Sequence, residues 1–414
     1  MWVLLEAEDV LLFRDSRPFT AGEDFRAEGL FPPLPPPIAG ALRSALLSPL
    51  LRKRGLAFRD LAQHEDLKDV REALGTAESL GRLHLAGPLA CTYMPGEYQP
   101  VPWFALPADL LGDFVPRLRD DLPLPGVRRP LAGGLGQGHM ATLASSPEQR
   151  SARAITPEPE AEEDGFEWLA AEAMQGYLSG DTKVVRTELK AITEVRTGIQ
   201  RSAANTAEAG RLYSAQMNRP EWCLESAVGL LVRVDLPRDY ALSAQYVPLG
   251  GEGRSAFLRP LNDFELPLGS AENRQAIAEQ IMRDGGRFRL CLATAGVFAE
   301  GLLPSAFPDE LLGVASGKPL SVGAWDLAAN APRPLRRAVP PGSVYFGRLT
   351  VNTAEAVEGL LKKYHLQTTL QAQDGLPEAS YRAQMGFGLT LVGAWTKNEA
   401  VPEPAKNEQA GDSA

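Results

Sequence analysis

The chain has 414 residues, 44% of them hydrophobic and 23% charged, and a formal net charge of -10. That length exceeds what one small core fills, and the ordinary composition argues for a globular protein of two or three domains. The acidic balance excludes a protein coated by nucleic acid on all sides and leaves room only for a local basic groove.

Residues 3–13 are rich in apolar side chains and end in a charged turn, which reads as a strand entering a loop. Residues 32–37 form a proline-rich extended segment, and residues 38–47 then show helical spacing just beyond a proline. A charged amphipathic helix is expected at 60–74, a strand interrupted by a turn at 83–90, and a proline-dense aromatic loop at 95–103 that leads into a strand-like stretch at 104–110. From about 117 to 216 the chain turns irregular, with a glycine cluster at 133–138, an acidic tract at 158–164 and a helix at 166–178. A segment that long reads as an insertion or lobe. Residues 228–234 read as a strand opening a second domain, followed by a helix at 271–283, strands at 287–293 and 343–349, and a helix at 351–363. Residues 397–414 are polar and lack large apolar side chains, so disorder is expected there. The fold class is α+β, divided into a first domain (1–116), a lobe with a basic hairpin (117–216), a second domain (217–396) and a tail (397–414).

No run of 18 uncharged apolar residues occurs, so no membrane-spanning helix is expected. The start of the chain, Met1-Trp2-Val3-Leu4-Leu5-Glu6-Ala7-Glu8-Asp9, turns acidic without a basic leader, and the reading is cytoplasmic. Cys91, Cys223 and Cys291 are far apart and lack CxxC spacing, which reads as small buried hydrophobes. With His64, His84, His139 and His365 equally scattered, no zinc signature assembles, and neither metal nor cofactor is expected. The sequence holds no GxxxxGK[ST] phosphate loop, no GxSxG elbow and no HExxH, so no catalytic residue is assigned.

Five constellations remain. Gln384-Met385-Gly386-Phe387-Gly388-Leu389 sets paired glycines before an apolar run; its amides can turn toward an anion, or the segment can be a tight turn. Arg14 and Arg17 bracket Asp15 and Ser16 before Pro18, where a guanidinium can fork onto phosphate or simply pair with a carboxylate. Arg43 lies on the helix after the proline loop and faces the same groove if that helix packs near the glycine turn. Arg196 and Arg201 belong to a basic ribbon with β-branched neighbours, partly neutralised by Asp181, Glu188 and Glu194. Arg254 ends the cluster Leu249-Gly250-Gly251-Glu252-Gly253. Together Arg14, Arg17, Arg43, Arg196, Arg201, Arg254, Gly386, Phe387 and Gly388 are the candidate set, which the resemblance given next implies to be RNA-binding.

In order and spacing, the segments 14–22, Pro35 to Arg43, Arg196-Thr197-Gly198-Ile199, Gly250 to Arg254, Pro341-Gly342-Ser343-Val344-Tyr345-Phe346 and Gly386 to Gly393 resemble the third-subunit family of the Cmr complex. These are RAMP-superfamily proteins of type III-B CRISPR effectors. The resemblance covers most of the chain outside 117–180 and the tail. It implies two ferredoxin-like, RRM-like domains with insertions and a noncatalytic role holding the 5′ repeat-derived tag of the guide RNA. It also implies two partners, the large polymerase-like signalling subunit and the first backbone subunit. The alternatives are the equivalent subunit of a type III-A complex and a guide-processing endoribonuclease of the same superfamily.

Overall fold

A computed structural model describes residues 1–14, 26–27, 29–76, 79–111, 115–116, 139–142, 167–180, 187–188, 192–201, 207–219, 226–323, 325–326 and 331–395. The expected tail at 397–414 lies outside the described residues. In chain order the first half carries β1 (Trp2–Ala7), α1 (Pro35–Arg54), α2 (Lys68–Leu74), β2 (His84–Tyr93) and β3 (Val101–Ala105). Next come β4 (Glu167–Ala170), α3 (Ala171–Ser179), β5 (Ile192–Arg201), β6 (Ala207–Arg219), β7 (Ala227–Asp235), β8 (Gln245–Pro248) and β9 (Ser255–Leu261). The remainder is α4 (Ala271–Arg283), β10 (Arg287–Leu292), β11 (Glu310–Ser316), β12 (Val344–Arg348), α5 (Ala354–Tyr364), α6 (Thr369–Ala372), α7 (Ala379–Met385) and β13 (Thr390–Ala394).

α1 starts at Pro35, three residues before the expected position, because a proline at the first helical site has no N–H to lose. Gly55 closes it with φ 68°, and Arg52, Lys53 and Arg54 fill the last turn, where cations suit the negative end of the helix. The helix expected at 166–178 is split: residues up to Ala170 form β4, and α3 begins at Ala171. Trp168 and Leu169 are buried there as strand residues, which a helical reading of an apolar run cannot tell apart.

The architecture is mixed α+β. An eight-stranded antiparallel sheet runs β8-β9-β1-β7-β2-β3-β4 and ends in the short strand Thr187–Glu188. A five-stranded antiparallel sheet runs β13-β10-β12-β11 and ends in His139–Thr142. The hairpin β5-β6 stands apart as a ribbon, with Arg26–Ala27 added parallel to β6. One expectation is corrected here. β7, read as the opening strand of a second domain, lies inside the first sheet, with Val232 opposite Val3 and Leu231 opposite Leu89. Its apolar run would suit either sheet, and sequence distance does not show that the long excursion returns to fill the gap beside β1.

β1 reads as an unbroken apolar run because both of its faces are covered. Val3 and Leu5 pack with Ile38 and Leu42 of α1, while Trp2 and Leu4 belong to a core shared with Phe288 and Leu290 of the second sheet. Where the two sheets meet, Arg289 is 2% exposed and Asp109 is 3% exposed. The Arg289 guanidinium donates to Asp109 Oδ2 at 3.2 Å, to the Tyr177 carbonyl at 2.8 Å and to the Ala394 carbonyl at 2.7 Å. The Tyr177 hydroxyl donates to Asp109 Oδ1 at 2.7 Å, and the guanidinium lies 3.8 Å from the Tyr177 ring centroid. Burial pushes the Asp109 carboxyl up from its usual range, against the pull of the Arg289 charge and the Tyr177 hydroxyl. Arg289→Met leaves that carboxylate buried without its counter-charge and is expected to destabilise the protein by about 3–5 kcal/mol. Adding Asp109→Leu should recover most of the loss, a pattern that guanidinium-chloride midpoints of the three proteins will show.

Candidate functional site

Past β1 the chain leaves the first sheet and is caught by the ribbon. Leu11 and Asn218 exchange backbone hydrogen bonds of 2.8 Å in both directions, and Val10 and Leu12 bury themselves with Ala215 and Met217. Leu30 N donates to Phe13 O at 2.7 Å and Arg14 bridges to Gly29, so the loop between residues 14 and 29 is closed at its base. Gly29 is required there, because a Cβ would sit 2.5 Å from Gln216 O. The glycine cluster before Arg254 joins from another side, with Gly251 N donating to Leu12 O at 2.8 Å.

Asp9 is the electrostatic centre of this region. Its carboxylate lies 3.1 Å from Arg254, 3.2 Å from Arg196 and 3.5 Å from Arg219. Glu194 accepts from Arg196 Nε at 2.5 Å and from Arg219 Nε at 2.6 Å. Burial pushes the Asp9 carboxyl up, but the Val10 amide, Arg196 and Arg219 together outweigh it and hold the group below its ordinary range. Glu194 is held low chiefly by its hydrogen bonds from Arg196 and Arg219. Three guanidiniums from the ribbon and the Arg254 turn thus share the two carboxylates of Asp9 and Glu194. The sequence brought Arg196 and Arg254 forward but missed Asp9, Glu194 and Arg219, because nothing in the primary structure shows that three distant segments share one carboxylate. Arg17 and the side chain of Arg201 lie outside the described residues.

The glycine turn and Arg43 lie elsewhere. Arg43 Nη2 donates to Gly75 O at 2.7 Å, and burial lowers its pKa. Tyr381 on α7 stands beside it, so Arg43 does share a neighbourhood with the helix that leads into the glycine turn. Gly386 (φ 108°) rests on Gly87 of β2, which itself meets Val232, the residue opposite Val3. Four residues of β1 separate Val3 from Ala7, about 14 Å at ~3.4 Å per residue, and Asp9 lies beyond Ala7. The expected single groove is therefore two places at opposite ends of the first sheet.

The amides of the turn are also committed. Gly386 N donates to Ala383 O at 3.0 Å, Phe387 N to Arg382 O at 3.1 Å, Gly388 N to Ala295 O at 2.8 Å and Leu389 N to Thr294 Oγ1 at 2.9 Å. Phe387 is fully buried, as is Phe13, so neither offers a stacking face. In place of the expected anion nest the geometry gives a packed joint between the two sheets. Gly386→Ala would put a methyl group 2.3 Å from Gly87 O at a positive φ. It is expected to destabilise by about 1–3 kcal/mol. Gly40→Ala, on the exposed side of α1 with nothing within 4 Å, is expected to stabilise by roughly 1 kcal/mol. Thermal melts of the two variants should move in opposite directions.

Among the described residues no group of three His, Cys, Asp or Glu is placed to hold a metal ion. Cys91 and Cys291 are buried free thiols, pushed up in pKa by that burial. His365 is 5% exposed, and both ring nitrogens are engaged: Nδ1 accepts from Val392 N at 3.1 Å and Nε2 donates to Leu268 O at 2.8 Å. Burial, aided by the Arg274 charge, lowers its pKa from 6.5. Below pH ~6.5 the unfolded chain therefore binds a proton that the folded protein resists, and stability falls as the pH drops toward the folded-state pKa. His365→Gln, whose amide donates and accepts without titrating, should flatten that acid slope in denaturation measured between about pH 5 and 7.

Together these features define an α+β protein of antiparallel sheets with arginine-built polar clusters at both ends of the first. The chain belongs to the CRISPR-associated protein family Cas_Cmr3, whose family model matches residues 3–395, and it is thereby a CRISPR-associated protein of the Cmr kind. Among solved structures, a chain in a cryo-EM structure of the type III-B Cmr-beta bound to cognate target RNA and AMPPnP matches with 15% identity and a TM-score of 0.48, covering 94% of this chain and 95% of the other. A second cryo-EM structure of type III-B Cmr-beta bound to cognate target RNA matches with 15% identity and a TM-score of 0.43, covering 84% and 86%. No curated protein matches the chain.

Proposed function

We propose that this chain is a noncatalytic RNA-binding subunit of a type III-B effector in the cytoplasm. In this reading it holds the 5′ repeat-derived tag of the guide RNA and docks the large polymerase-like subunit and the first backbone subunit. Family membership supports the setting. The observation that carries the site is the convergence on Asp9 of the β5-β6 ribbon and the Arg254 turn, with the base of the Arg14 loop held against the same ribbon. A strand end held this way needs neither metal nor cofactor, since guanidiniums and amides suffice for phosphate and base edges.

The two sheets support the reading of two ferredoxin-like units. In the first, the strands β1, β2, β7 and β9 stand in the order fourth, first, third, second, and in the second the strands β10, β11, β12 and β13 stand in the same order. That is the order a split β-α-β motif generates, and one crossing helix survives in each unit, α1 in the first and α5 in the second.

Arg14→Ala is expected to weaken retention of tagged guide RNA by the assembled complex several-fold at near-physiological salt, with an unchanged melting temperature. Equal retention by variant and parent, in a filter-binding assay with tag RNA against a scrambled tag, would rule the assignment out. A guide-processing endoribonuclease would instead cut repeat RNA without metal, and the proposal requires that no such cleavage occurs.

A further inference from the structure

We propose that Tyr246 and Glu8, at the β8 edge of the first sheet, form a docking site for an arginine side chain on a basic segment of a protein partner. The inference rests on the effector reading above only for there being protein neighbours. None of its evidence comes from the Asp9 cluster or the tag.

The chain fills a site of this kind with its own side chain one strand away. Arg259 Nε of β9 donates to Glu6 at 3.0 Å, and its guanidinium lies 3.8 Å from the ring centroid of Tyr98 and 5.0 Å from that of Phe257. One carboxylate and two rings thus hold one arginine. Tyr93 stacks against Tyr98 with centroids 6.3 Å apart, which extends the aromatic row back toward β2.

The unit repeats toward the edge without a cation of its own. Glu6 stands opposite Phe257, and Phe257 opposite Tyr246 of β8, so the three lie side by side on the face turned away from α1. Glu8 follows two residues beyond Glu6 on the same face, its amide still bonded to Ser255 O at 3.4 Å. The Tyr246 ring meets Phe257 edge to face with centroids 5.0 Å apart, and its hydroxyl donates to Glu8. Tyr246 is 61% exposed, and Glu8 is exposed beside it. Among the described residues Arg259 is paired with Glu6 and Arg254 with Asp9, and no cation is paired with Glu8. The Tyr246 pKa is raised first by the hydrogen bond to Glu8 and then by the charges of Glu8 and Glu6, so the charges felt at this hydroxyl are negative.

Such a place repels a phosphate and draws a guanidinium, which can stack on the tyrosine ring and pair with the carboxylate as Arg259 does in the neighbouring unit. A lysine would meet the charge but stack less well. In a chain of net charge -10, the partner that complements this face is basic.

The test uses the full chain with fluorescein-labelled octa-arginine, octalysine and oligouridylate. The parent should bind octa-arginine roughly two- to fivefold more tightly than octalysine of equal charge. Tyr246→Ala should erase that preference, and Glu8→Gln should weaken both peptides alike. Both side chains are exposed, so unchanged melting temperatures are expected. A parent without the arginine preference overturns the proposal, as does a preference that survives Tyr246→Ala or a Glu8→Gln that weakens neither peptide. Oligouridylate binding lost in Tyr246→Ala would make the face an RNA platform, and a dimer that Tyr246→Ala dissolves would make it a contact between copies of the chain; either result sinks the proposal. Tag retention is read separately. If Arg14→Ala leaves retention unchanged while the arginine preference holds, the tag assignment fails and this one stands. The opposite pair of results sinks this one alone.

Discussion

The buried pair of Arg289 and Asp109 is the constraint on which the arrangement of the two sheets depends. A guanidinium in the middle of β10 can be tolerated only if all its donors are met, and they are met from three directions: the loop after β3, the end of α3 and the last strand, β13. Each of those partners belongs to a different part of the chain. The pair contributes little by mere attraction, but it is intolerant of any other docking angle, because a displaced sheet would strand a charge in the core.

The glycine turn before β13 serves the same geometry from the other side. Gly386 has no side chain to hold α7 away from β2, and Thr294 clamps the turn by donating to Gly386 O at 2.6 Å while accepting from Leu389 N. Gln371, fully buried, completes the seam by exchanging two hydrogen bonds of 2.7 Å with the backbone of Val297. Rigidity at this seam keeps both ends of the first sheet in a fixed relation, and those ends carry the arginines.

How much of this was legible in the sequence depended on how local the cause was. The helix at 271–283 is found where periodicity places it, because its cap, Ser270, and its apolar stripe are both local. The start of α1 was misplaced by only a turn. β7 was assigned to the wrong sheet, since pairing partners 229 residues apart leave no trace in composition. At the sites the same division holds. Arg196 and Arg254 could be singled out from their neighbours, but the carboxylate that unites them could not. Gly386 and Gly388 were marked correctly as special positions, yet their positive φ serves close packing and not an anion, and a glycine pattern alone does not distinguish the two.

The placement of β7 also bears on synthesis. The central strand β1 is made first, but both of its neighbours, β7 and β9, emerge only after residue 226. Until then the nascent chain carries an apolar strand with two open edges and nothing in the first hundred residues that can pair with it in the native register. The amino-terminal part is therefore no autonomous folding unit. Its open edges stay exposed to mispairing until β7 and β9 have been made.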